Sequence, residues 1–177
     1  EPIVITSLMH QLPPRQYISA NSLDLAVGQS VSIAEMRAQM LLAGYQVVEA
    51  VMEHGEFAVR GALLDVFPMG SEQPYRIDLL DEEVETLRTF DPETQRTVDR
   101  VEQIKLMPAR EFPIGGEAIH RFQMAWYDSF DGDADLGPAF TEISAGRVPG
   151  GAECYLPLFF ERCGTVFDYL PDGAALM

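Results

Sequence analysis

Lysine is nearly missing from this chain of 177 residues, which has one, Lys105. A phosphate-cradling loop needs a glycine-rich turn ending in Gly-Lys-Ser/Thr. Lys105 stands between Ile104 and Leu106 in an apolar-polar alternation, so no nucleotide site of that kind is completed here. Positive charge is short throughout: 12 basic residues stand against 28 acidic ones, a formal charge of -16. Phosphate neutralisation supplies most nucleic-acid affinity, so direct DNA binding is not expected of this chain. Histidine occurs three times, at His10, His54 and His120, in three unrelated segments, which leaves a serine or cysteine nucleophile without a base. Cysteine occurs twice, at Cys154 and Cys163, with no CxxC and no histidine nearby. That usage fits a reducing cytoplasm better than a disulfide framework, and buried thiols are expected. Long apolar runs are absent too; Ala62-Leu63-Leu64 is interrupted within a few positions, far short of the roughly 20 residues of a membrane helix. No catalytic, cofactor-binding or metal-binding residue is expected.

What is present is enough apolar residue, 47%, to bury a core. Ile3, Val4 and Ile5 suggest a short buried strand, stopped by the segment containing Pro13-Pro14. Ser32 followed three residues later by Glu35 makes a capping box. Ile33, Met36, Met40 and Leu41 continue as one stripe, and Gly44 stands where a left-handed cap belongs, so a helix is expected. From Gln46 to Met107 the pattern becomes β-rich, with strands expected over 46–52, 57–67, 75–80, 84–90 and 97–107 and a bulge or bend at Gly61. Pro108 and Pro113 bracket a boundary. Beyond it Ile119, Phe122, Trp126 and Phe130 recur at helical spacing, and Tyr155, Phe159, Phe160, Phe167 and Tyr169 are expected to anchor a loop-rich remainder. The fold class is therefore α+β: one helix with an antiparallel β-meander, then part of a flanking α/β domain. Neither the start at Glu1-Pro2 nor the finish at Leu176-Met177 has the pattern of a natural terminus, so a larger parent is expected.

Asp131, Asp133, Asp135 and Glu142 match the oxygen-ligand spacing of a calcium loop at its positions 1, 3, 5 and 12. The glycine needed at position 6 is Leu136, and Pro138 and Phe140 disturb the rest. A solvated acidic loop is the favoured reading, and an acidic metal-binding module or enzyme is the alternative from a different class. Asp81-Glu82-Glu83 reads as a turn between strands with its carboxylates in water.

Alternation along 75–80 puts Tyr75, Ile77 and Leu79 on one face and Arg76, Asp78 and Leu80 on the other. Arg60 falls opposite Phe57 and Val59, so two arginines are expected on the outer side of one sheet. Arginine beside apolar and acidic groups suits a protein-binding patch, and cross-strand ion pairs on a solvated face explain it as well.

The blocks Glu53-His54-Gly55-Glu56-Phe57-Ala58-Val59-Arg60-Gly61, Leu64-Asp65-Val66-Phe67-Pro68, Tyr75-Arg76-Ile77-Asp78 and Asp81-Glu82-Glu83-Val84, in that order and spacing, resemble the N-terminal region of the bacterial transcription-repair coupling factor (Mfd) family. The likeness runs on through Arg110-Glu111-Phe112-Pro113 and more loosely through Tyr155-Leu156-Pro157-Leu158-Phe159-Phe160. The excision-repair subunit UvrB shares the block, and its equivalent region is the alternative; Glu53-His54-Gly55 and the wording from Phe67 to Ser71 favour the coupling factor.

The resemblance implies a parent that is an ATP-dependent DNA translocase, displacing RNA polymerase stalled at a lesion and recruiting UvrA for nucleotide excision repair in the cytoplasm. It implies that residues 1–22 end a preceding domain, 23–112 form a UvrA-binding domain, and 113–177 belong to a flanking UvrB-like domain. Arg60 and Arg76 would contact UvrA, with Asp78 and Leu80 beside them. Relatives often carry an aromatic pair where this chain has Leu79-Leu80. ATP and magnesium, RNA polymerase and double-stranded DNA would be handled elsewhere in the parent, whose C-terminal domain would mask the UvrA-binding surface. No membrane partner is implied.

Overall fold

The computed structural model describes residues 11–130 and 137–171. Short helix α1 (Arg15–Ala20) opens it, and the chain divides into two compact units. One is Ala20–Arg110. The other joins the segment before Ala20 to the segment after Arg110. The expected strand over residues 3–6 lies outside the described residues.

In the first unit, β1 (Leu23–Ala26) leads to α2 (Ile33–Leu42). Ser32 has extended backbone and its side chain accepts from the Glu35 amide, filling one of the open donors of the first turn. Met36 and Met40 are buried, and Ala43 continues their stripe one turn on. Leu41, expected on that stripe, is instead 47% exposed: it follows Met40 by one residue, about 100° around the helix. Gly44, at φ +93, turns the chain out of the helix into β2 (Gln46–Val47).

The next strands are β3 (Glu56–Arg60), β4 (Leu63–Val66), β5 (Tyr75–Leu80), β6 (Glu83–Phe90) and β7 (Thr97–Val101). They form a six-stranded sheet in sequence order from β2 to β7, parallel only between β2 and β3. The α+β expectation with its antiparallel meander is borne out. The run expected as one strand over 57–67 is a hairpin, and of the bulge or bend expected at Gly61 the structure shows the bend, with Gly61 in the left-handed region at φ +62 at the turn. Similarly, the run over 97–107 divides after Val101. Its second half, β8 (Gln103–Leu106), leaves the large sheet and pairs antiparallel with β1, with Leu23 opposite Leu106 and Ala26 opposite Gln103.

One core packs the inner sheet face against Met36, Met40 and Tyr45, with Phe57, Leu64, Ile77 and Leu87 all 1% exposed or less. Tyr45 is itself buried and donates its hydroxyl to the Met107 carbonyl. A smaller cluster of Val51, Ala58, Phe67 and Phe90 lies separately. Ala58 follows Phe57 in β3, so that cluster occupies the opposite face of the sheet.

In the second unit, α3 (Gly116–Ser129) and α4 (Pro138–Ser144) pack with a 3-10 segment, Ala152–Phe159, around Phe112, Phe122, Trp126, Phe140 and Phe159. Stacked Phe112 and Phe159 rings lie 4.4 Å apart. Tyr155 and Phe160 join this core as expected, but Phe167 and Tyr169 are 43% and 37% exposed. Tyr169 instead ties the chain by donating to the Pro13 carbonyl at 2.6 Å. Cys163 is half-buried, whereas Cys154 is exposed, against the expectation of two buried thiols.

Candidate functional site

The face of the large sheet away from α2 carries the charged residues that the sequence singled out. Cross-strand register sets Asp65 opposite Arg76, Arg76 opposite Arg88, and Arg88 opposite Arg100. Three arginines thus cross three strands in line, an arrangement that repels unless acids are interleaved. Two aspartates do this. Asp78 accepts from Thr86 Oγ1 at 2.7 Å and from Arg88 Nη2. Asp65 serves the other end of the row.

Asp65 lies in β4 with its side chain 0% exposed. A buried carboxylate is tolerated only when charged and polar donors surround it. Arg76 supplies a two-pronged contact, Nε to Oδ1 at 2.7 Å and Nη2 to Oδ2 at 2.9 Å. Its third donor, Nη1, reaches the Gln95 carbonyl at 3.2 Å, and its Cζ stands 4.8 Å from the centre of the Phe90 ring. The Asp65 hydrogen bond raises the Arg76 pKa above its ordinary value, outweighing desolvation. Arg60 gives Nη2 to the same Oδ2 at 2.8 Å.

All four residues expected at a partner site stand on this face, but not as two open forks. The Arg76 side chain is 15% exposed and its fork is engaged inside the sheet, whereas Arg60 is 51% exposed and spends one donor on Asp65. Asp78 is paired with Arg88, and Leu80 is 62% exposed beyond it; Leu79 faces the core. Sequence reasoning missed the acid that joins the arginines. Its signal was a lone aspartate in Leu63-Leu64-Asp65-Val66-Phe67, a charge in a strand otherwise apolar enough to bury. Gln95, held at φ +61 in the loop after β6, left no such mark.

Elsewhere, Asp131, Asp133 and Asp135 lie outside the described residues. Glu142 accepts from Arg147 at both carboxylate oxygens, at 2.7 and 2.8 Å. Among the described residues no three histidine, cysteine or acidic side chains are grouped to hold a metal ion. Lys105 is exposed on β8, and no described helix is long and apolar enough to cross a membrane.

Fold and face together define a small α+β domain built on an antiparallel sheet, with an arginine-aspartate network on its outer side. The chain belongs to the UvrB interaction domain family, which matches residues 23–112. It is 46% identical over 170 residues to the transcription-repair-coupling factor of Haemophilus influenzae, covering 95% of this chain and 15% of that protein. It is 43% identical over 176 residues to that of Escherichia coli and 28% identical over 194 to that of Bacillus subtilis, covering 99% of this chain in both cases. The resemblance read from the sequence is borne out, and the chain spans about 15% of the length of these relatives.

Proposed function

We propose that this chain is a docking module that recruits UvrA, and that its parent is an ATP-dependent DNA translocase acting where RNA polymerase has stalled at a lesion in the cytoplasm. The family match over the sheet domain supports this reading. The observation that carries it is the half-exposed Arg60 guanidinium, fixed on the sheet face that also bears exposed Leu80 two strands away, in a chain of net charge -16. Arginine beside an apolar side chain suits protein recognition because its planar fork meets a carboxylate in two places and tolerates partial desolvation. Arg76 and Asp78 support the face from within. Catalysis, ATP, magnesium, DNA and RNA polymerase belong to other regions of the parent, and its C-terminal domain masks this face until it is needed.

The test is calorimetry of the chain against purified UvrA. Arg60→Ala is expected to weaken binding by about 1–2 kcal/mol, roughly 5- to 30-fold. If Arg60→Ala and Leu80→Asp both bind as tightly as the unsubstituted chain, this face is not the docking surface.

A further inference from the structure

The Asp65 cluster contains two guanidinium groups and one carboxylate, so one positive charge is left over. Arg76 is closed in by Phe90 and Gln95, and the surplus charge therefore meets solvent at Arg60. Arg60 ends β3 beside the Gly61 turn, and its Nη2 is held in the sheet by Asp65.

We propose that Asp65 is the positioning residue of this face: buried out of a partner's reach, it anchors Nη2 of Arg60 and presents the rest of that guanidinium in one orientation to a carboxylate on the partner. The proposal rests on the docking reading and deepens it, because it makes the recognised group a single carboxylate met by a fork already set. A long arginine side chain ordered before binding does not lose its rotamer freedom at the moment of association. Arg76 has the complementary part, since its two-pronged contact fixes the Asp65 carboxylate that in turn fixes Arg60.

The experiment measures binding of UvrA to the unsubstituted chain, to Arg60→Ala, to the paired swap Asp65→Leu with Arg76→Met, and to the three changes together. The paired swap strands no buried charge, because the Arg60 it releases is half-exposed, and apolar replacement of a buried ion pair is commonly tolerated. Arg60→Ala is expected to cost roughly tenfold in the original background and about threefold or less after the swap, where Arg60 has already lost its anchor. A merely structural role for Asp65 lowers affinity without changing what Arg60→Ala costs, so equal losses in the two backgrounds overturn the proposal. If the paired swap does not melt cooperatively, Asp65→Val with Arg76→Leu, which likewise removes every side-chain acceptor at position 65, serves as the second background under the same comparison. Failure of the docking reading looks different: the unsubstituted chain then shows no UvrA binding, and the anchoring role falls with it.

Discussion

Replacing Arg76 by methionine should damage the fold before it damages any contact with a partner. The substitution removes the two short charge-assisted bonds to Asp65 and the bond to the Gln95 carbonyl, and leaves a carboxylate that is 0% exposed with Arg60 alone. Breaking a buried ion pair from one side costs about 3–5 kcal/mol. Arg76 is 15% exposed, so solvent screens the pair little, but Arg60 still offers Asp65 one donor, which argues for the lower end, about 3 kcal/mol. For a unit of this size that lowers the melting temperature by roughly 15 °C. The single tryptophan, Trp126, sits in the other unit, so its fluorescence reports the wrong transition. Amide exchange of Phe57, Leu64 and Ile77, or far-UV circular dichroism through urea unfolding, reads the right one. Adding Asp65→Leu to Arg76→Met should recover most of the loss. The reasoning is refuted if Arg76→Met costs under about 1 kcal/mol, or if the second change recovers nothing.

Further outcomes follow from other parts of the structure. Burial pushes the Tyr45 hydroxyl up to about 12 from its ordinary 10.0, so this contribution to stability is intact below about pH 10 and is lost as pH rises toward 12. Tyr45→Phe should cost about 1 kcal/mol at neutral pH and flatten that alkaline fall, as followed by urea titrations at several pH values. Gly44→Ala combines a left-handed backbone at φ +93 with a Cβ 2.3 Å from Arg110 Cγ. It should lose about 2 kcal/mol or more by thermal melting. Millimolar calcium or manganese should leave the melting temperature unchanged, since both Glu142 oxygens are taken by Arg147; a rise would revive the metal-binding reading.

The legible parts of this molecule were those where local chemistry and tertiary demand agree. The alternation of Tyr75–Leu80 placed every side chain of β5 on its observed face, and Ser32 marked the start of α2. Continuity was the weak point. Thr97–Leu106 reads as one run because both its halves suit a strand, yet the halves serve different sheets, a choice made by the pairing of β8 with β1 some 80 residues earlier. Four-residue β1 went unrecognised because Leu23-Asp24-Leu25-Ala26 is too short to declare itself without that partner. At the candidate site, the sequence identified the arginines and the face they occupy. It did not give their sharing of Asp65, which depends on register across three strands and on burial, and neither is written in the spacing of one strand.

The β1–β8 ladder sets how this unit answers a mechanical load. Leu23 and Leu106 are partners at the same end of the ladder, so the chain enters and leaves side by side. Tension pulling these two points apart meets the rungs one after another, as a zipper does, rather than all together in shear. Past Leu106 the chain is pinned again, Met107 by the Tyr45 hydroxyl and Ala109 by the Ala43 carbonyl, so those ties take the load first and the clasp then peels open from Leu23–Leu106 toward Ala26–Gln103.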